Sequence, residues 1–351
     1  MFIVPALNLA ICWKLSEMTQ SAGNFLDFNL IRILRDYTPE FICYNFLICV
    51  SLQERKVRNN HSVSNLYLSK NLGSYLAGFI EGNGTIIVPT KILSNKDKLN
   101  FPSIQIFFNL KDLPLALIIQ KELGFGSLLR KKGVNGYILL INNYEELILL
   151  VNLIRHYLRT PKINSLNLLI DWFKNNNLNI RNVPLILNKD LLINDGWLSG
   201  FIEAKGQFLV RTTNKNISNT KYPKIECKFE LIQGQKNHNG KSNLNYLENI
   251  ADLLQTKVKA IKMNSPQSQF RVRTTNLNGN INLENYLKNY PLFSSKYLDY
   301  IDWQKVLEIF KKCEHKQKEG IDKIISIKQQ MNDRRTIFSW IHLNNFYNLD
   351  K

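Results

Sequence analysis

A nine-residue pattern occurs twice in this chain. Leu76-Ala77-Gly78-Phe79-Ile80-Glu81-Gly82-Asn83-Gly84 returns as Leu198-Ser199-Gly200-Phe201-Ile202-Glu203-Ala204-Lys205-Gly206, starting 122 residues later. Six of the nine positions are identical. One such stretch alone reads as the end of an ordinary buried helix. Two copies at domain-scale spacing, each followed by a strand-like run, ask for two similar halves. A chain of 351 residues with 44% hydrophobic content has material for two such cores.

The same order of elements can be read after each copy. A strand follows the pattern, at residues 85–88 and 207–211. A second covers 102–108 and 223–229. A helix spans 113–123 and 244–254. A hairpin centred on Val134-Asn135-Gly136-Tyr137 follows in the first half, with a strand at 270–273 in the second. Each half closes with helices bearing Ile170-Asp171-Trp172 or Ile301-Asp302-Trp303. Gly84 and Gly206 suit left-handed helix caps. Ala77 and Gly78, facing Ser199 and Gly200, would let two helix backbones approach closely. Leu76, Phe79 and Ile80, with Leu198, Phe201 and Ile202, would enter the flanking cores. The expected layout is an N-terminal extension and linker over 1–68, then halves over 69–185 and 186–351.

The duplicated pattern resembles the LAGLIDADG family of intron-encoded proteins, over about residues 69–351. The resemblance implies an α+β fold of two pseudo-twofold α-β-β-α-β-β-α domains. These pair through their motif helices and form saddle-shaped antiparallel sheets over nucleic acid. It also implies a carboxylate at the eighth motif position of each half, holding divalent metal for phosphodiester cleavage. Here those positions carry Asn83 and Lys205, an amide and a cation. No metal ligand set is therefore expected. Glu81 and Glu203, two residues earlier on the helix, point about 200° away and are expected to act structurally. Lys162 and Lys296, before the last repeated helix of each half, resemble the family's basic residues near the centre. Asn109 and Gln233 resemble its polar active-site position.

Formal net charge is +18, which favours a polyanion partner. Gln207, Leu209, Arg211 and Thr213 share a strand face by alternation, as do Arg271 and Arg273. Arg130, Lys131 and Lys132 precede the first-half hairpin. Phosphate contact is the expectation for this set. Lys311, Lys312, Lys316 and Lys318, with Arg334 and Arg335, read either as a solvated face or as an RNA-contact surface. The five cysteines are scattered, with no CxxC or zinc-finger spacing. The apolar run Phe41–Val50 is too short to span a bilayer, so no membrane role is expected. The start of the chain lacks both a signal-peptide pattern and an import presequence. Abundant Asn, Ile, Leu and Lys suit an A/T-rich organelle genome.

The resemblance thus implies a maturase, which binds its group I intron RNA in mitochondria and assists folding and splicing without cutting DNA. Mg²⁺ would come with the RNA, and would occupy the protein's centre only in an endonuclease. Duplex DNA and a helper splicing protein are the further partners considered. The alternative is an active or remnant site-specific homing DNA endonuclease.

Overall fold

The computed structural model describes residues 70–90, 100–131, 133–176, 185–213, 224–237 and 239–347. The expectations for 1–68 and for Lys132 lie outside the described residues. The first half runs α1 (Lys70–Asn83), β1 (Gly84–Ile87), β2 (Ser103–Asn109), α2 (Leu113–Leu123), β3 (Ser127–Arg130), β4 (Gly136–Ile141), α3 (Tyr144–Ile154) and α4 (Ile163–Asn175). The second runs α5 (Trp197–Lys205), β5 (Gly206–Thr212), β6 (Ile225–Gly234), α6 (Leu244–Leu253), β7 (Lys259–Ile261), β8 (Gln269–Arg273), α7 (Leu277–Asn289) and α8 (Lys296–Lys311), with α9 (Lys318–Lys328) added. Each half therefore ends in two helices, one more than the implied repeat. The short strand β7 has little apolar pattern of its own, and pairing to β8 defines it.

Each sheet is antiparallel and four-stranded, in the orders β1-β2-β4-β3 and β5-β6-β8-β7. Alternation sends one side chain in two toward the helices. Ile104, Ile106, Phe108, Leu139 and Ile141 are buried in the first core, and Phe208, Phe229, Leu231 and Val272 in the second. Trp303 on α8 is fully buried there, and its Nε1–H donates to the Lys228 carbonyl at 3.1 Å.

The halves meet along α1 and α5, whose backbones touch. A Cβ on Gly78 would lie 1.9 Å from the Trp197 carbonyl oxygen, and one on Gly200 would lie 1.9 Å from that of Tyr75. Any side chain there would force the helices apart, so close approach explains both glycines. The expected role of Ser199 differs: its hydroxyl donates to the Pro291 carbonyl at 2.8 Å, away from the partner helix. Below the crossing, Gly82 meets Ala204; a Cβ on the glycine would be 2.4 Å from that of the alanine.

Gly84 and Gly206 are not left-handed caps. Neither has positive φ, and Gly206 is extended at φ −77°, ψ 156°. Helix passes directly into strand at both, so the backbone has no left-handed residue to accommodate. In the first-half hairpin the left-handed residue is Gly133, not part of the Asn135-Gly136 pair. Gly136 opens β4, and the Phe107 ring occupies the space its Cβ would need.

Past α9 the chain returns to the seam. Asn332 donates from its backbone N–H to Asp299 (2.9 Å) and from its amide to the Phe208 carbonyl (3.2 Å). The rings of Phe346 and Tyr347 pack against Tyr75 of α1 and against Phe293. No helix among the described residues is long and apolar enough to cross a membrane.

Candidate functional site

The C-terminal ends of α1 and α5 lie side by side at the floor of a cleft of about 360 Å³. Glu81 and Glu203 anchor that floor. Glu81 accepts from the Arg159 N–H (2.9 Å), the Thr160 N–H (2.8 Å), the Thr160 hydroxyl (2.7 Å) and Nε1–H of Trp197 in the other half (2.6 Å). Glu203 accepts from the N–H groups of Phe293 and Ser294, the Ser294 hydroxyl, and the hydroxyl of Tyr75 in the other half (3.2 Å). Each carboxylate thus ties its own motif helix to the loop before α4 or α8, and also to the opposite motif helix. Both are buried, and desolvation holds their pKa values above the ordinary glutamate value despite these donors. Their oxygens are fully engaged inside the protein.

Lys162 and Lys296 act on the same helix ends. The Lys162 ammonium donates to the carbonyls of Ile80 (3.0 Å) and Gly84 (2.6 Å), and that of Lys296 to the Gly206 carbonyl. These carbonyls sit at the negative ends of the helix dipoles, where a cation is favoured. Burial lowers both lysine pKa values, that of Lys162 to about 8.

The eighth motif position differs between the halves. The Asn83 amide donates to the Phe107 carbonyl at 2.6 Å, pinning the end of α1 to β2. Lys205 lines the cleft, and its ammonium makes no hydrogen bond or ion pair among the described residues. Desolvation lowers its pKa. Mg²⁺ requires hard oxygen ligands, usually carboxylates. An amide and an ammonium do not fit it. Among the described residues no three His, Cys, Asp or Glu side chains converge to hold a metal. Of the other acids near the cleft, Asp112 accepts from the Ser295 N–H at 2.8 Å, Asp299 pairs with Arg335 at 3.0 Å, and Asp333 is exposed at its edge.

The expected pairing of Asn109 with Gln233 is off by one residue. Gly84 stands opposite Ile106 and Gly206 opposite Leu231, so Gln233 corresponds to Phe108, and Asn109 to Gly234. Asn109 reaches the cleft. Gln233 has the parity of the buried Leu231, which points it toward the helices.

The outward sheet faces carry the remaining expected residues. Gln207, Leu209 and Arg211 do share the exposed side of β5, and Thr213 is exposed just past the strand. Arg271 and Arg273 share the outward side of β8, but both approach Glu230; the Arg271 Nε lies 3.9 Å from it, and Arg273 is in direct contact. Their charge is partly satisfied within the sheet. Arg130 has the parity of the buried Leu128, so it leaves the sheet edge on the helix side, while Lys131 is exposed in the loop. In the C-terminal cluster, Arg335 pairs with Asp299 and Asp302, and Lys311 with Glu284 and Glu308. Lys312, Lys316, Lys318 and Arg334 are exposed.

Register also reveals a contrast that sequence reading missed. Lys228, Lys259, Arg271 and Arg273 of the second sheet occupy the places of Ser103, Leu129, Ile138 and Leu140 in the first. Glu230 corresponds to Gln105. The outward strand positions of the first sheet carry no charge, and Leu129 and Ile87 are 49% and 42% exposed. Strand alternation was readable in both halves, but only pairing shows which residues are equivalent.

The family described as LAGLIDADG endonuclease matches residues 76–174 and 198–307. The chain is 31% identical over 310 residues to the intron-encoded DNA endonuclease aI3 of Saccharomyces cerevisiae, covering 79% of this chain and 73% of the yeast protein. It is 27% identical to an uncharacterized 37.2 kDa protein of cox1 intron 2 in Schizosaccharomyces pombe, covering 72% and 70%. Among solved structures, the I-LtrWI LAGLIDADG homing endonuclease bound to target DNA superposes with a TM-score of 0.62 at 19% identity, covering 76% of this chain and 99% of that one. The I-AabMI meganuclease bound to uncleaved DNA gives 0.58 at 23%, covering 74% and 99%. The match runs through both motif helices and the halves that they open, so this chain belongs to the LAGLIDADG family.

Proposed function

We propose that this protein is an intron-encoded maturase, which binds its group I intron RNA and assists its folding and splicing without cutting DNA. The observation that carries this reading is the eighth motif position. An amide bonded to its own strand and an ammonium in the cleft stand where a dication would need carboxylates. Two positive charges about 4 Å apart repel by several kcal/mol at an effective dielectric near 20. A maturase tolerates that loss, because the intron RNA performs transesterification with its own Mg²⁺. The Glu81 and Glu203 networks and the glycine crossing remain whole, as a retained binding scaffold requires. The net charge of +18 suits RNA. We place the protein in mitochondria.

The second reading is a site-specific homing DNA endonuclease, active or remnant. It is favoured by the name of the yeast relative and by the DNA bound to the structural neighbours. A paired assay on the purified full chain separates the two. One arm follows splicing of the host intron at near-physiological Mg²⁺, with and without protein. The other follows cleavage of the intronless DNA in Mg²⁺ and in Mn²⁺. Splicing rescue without cleavage is expected. Cleavage would sink the maturase reading and require metal ligands elsewhere.

A further inference from the structure

We infer that nucleic acid is held by one half of the saddle only, across the outward face of the second sheet, with Arg211 and Lys259 as its phosphate contacts at the two edges. The inference rests on the reading that the chain binds nucleic acid, and goes beyond it by assigning the surface. A two-motif scaffold offers two equivalent faces, and these two are built from opposite chemistry.

In the second sheet, Arg211 lies on edge strand β5 and Lys259 on edge strand β7. Both are exposed, and neither makes a direct ion pair among the described residues, though Arg211 stands opposite Glu226 and, after Lys228, helps to lower its pKa. Three inter-strand steps of about 4.8 Å separate the two edges, and Arg211 is level with Glu226 while Lys259 is level with Ile232 further along β6, so the two cations stand diagonally, roughly 25 Å apart. Between them Lys228 pairs with Glu226 at 2.9 Å, and Arg271 and Arg273 both approach Glu230, so most of the charge there is met by acids and one net positive charge remains. Such pairs add little net field but offer donors and acceptors to base or sugar edges. The exposed cations therefore sit at the rims, where backbone phosphates would run.

The first sheet has none of this. Leu129 replaces Lys259, and Pro89, two residues past the end of β1, takes the place of Arg211. Ile138 and Leu140 replace the central arginines. Thr85, Gln105 and Asn109 leave this face some polar groups, but no outward cation on its strands meets a backbone phosphate. Arg130 points to the helix side and cannot serve the face.

The test is salt-dependent binding of the full chain to a group I intron transcript, followed by anisotropy between 50 and 300 mM KCl. Each neutralised phosphate contributes about 0.7–0.9 to the slope of log K against log salt. Arg211→Ala/Lys259→Ala should lower that slope by about 1.5 and weaken binding roughly tenfold at 100 mM salt. Arg130→Ala/Lys131→Ala should change affinity less than about twofold, and Leu129→Lys should leave the slope unchanged. All of these positions are exposed, so unchanged melting temperatures will show that the variants are folded. Equal losses from the two doubles, or tighter binding by Leu129→Lys, would establish a two-sided saddle and overturn the inference. Two silent doubles in a parent that still rescues splicing would place the RNA elsewhere, overturning this inference alone. A parent that neither binds the intron nor rescues splicing would remove the maturase reading and this inference together.

Discussion

Glu81 and Glu203 occupy equivalent places in the two halves and perform the same task with different partners. Each accepts from a loop of its own half and from an aromatic residue of the other, Trp197 in one case and Tyr75 in the other. Two residues further on, the equivalence fails. Asn83 is bonded to its own sheet, while Lys205 stands without a partner in the cleft. The contrast separates two kinds of demand. A buried donor without an acceptor costs stability in either half, so the burying network recurs in both. A cleft residue answers only to whatever enters the cleft, and there the halves have gone different ways.

The most damaging way to test this symmetry is at the helix crossing. Gly78→Leu and Gly200→Leu each place a side chain where a carbonyl oxygen already lies, and each should cost on the order of 4 kcal/mol or prevent folding. Urea denaturation will show whether both glycines are equally intolerant; a well-folded variant of either would break the twofold packing account.

Glu81→Ala and Glu203→Ala come next. Each strips the acceptor from several buried donors, at about 1–3 kcal/mol for each group left unpaired, so roughly 3–5 kcal/mol is expected for both. Values agreeing to about 1 kcal/mol would sharpen the comparison. A loss confined to one half would show that the networks are not equivalent.

A smaller effect is expected from pH. The folded pKa of Lys162 is about 8, while an unfolded lysine holds its proton to about 10.4. Between those values the unfolded chain binds more protons, so this group makes stability rise with pH across that window. Below it the penalty of burying the ammonium is fully present. Lys162→Met should remove that rise, seen as a wild-type-minus-variant stability difference that grows from pH 8 to 10. A flat difference would mean that the ammonium is better solvated than its two carbonyl contacts imply.

The smallest expected effect discriminates best. Asn83→Ala should destabilise by about 1 kcal/mol through loss of its hydrogen bond to Phe107. Lys205→Ala should be neutral or slightly stabilising, because it removes a half-buried, unpaired cation. The same sign for both in thermal melts would argue that Lys205 has an internal partner after all.

Much of the fold was legible from the chain alone. The repeat announced two halves. Alternation located five of the eight strands, and the third-strand hairpin showed through its turn residues. What could not be read were features that depend on pairing. β7 has too little apolar pattern to stand out, and Gln233 looked equivalent to Asn109 until register shifted it by one place and to the other face. The left-handed conformation proposed for Gly84 and Gly206 rested on residue type, whereas the structure requires of both only a direct passage from helix to strand.

The site divides in the same way. The sequence by itself determined that position eight carries Asn83 and Lys205, that Glu81 and Glu203 point away from it, and that a basic lysine precedes the last repeated helix of each half. These follow from chemical identity and helical period, which are local. Only the tertiary structure decided that Lys162 and Lys296 are spent on helix-end carbonyls, that Arg335 is neutralised by two acids while Arg271 and Arg273 share one, and that one sheet faces outward with charge and the other without. A side chain's availability depends on what lies across the sheet or the seam from it, and those neighbours are set by long-range packing rather than by nearness along the chain.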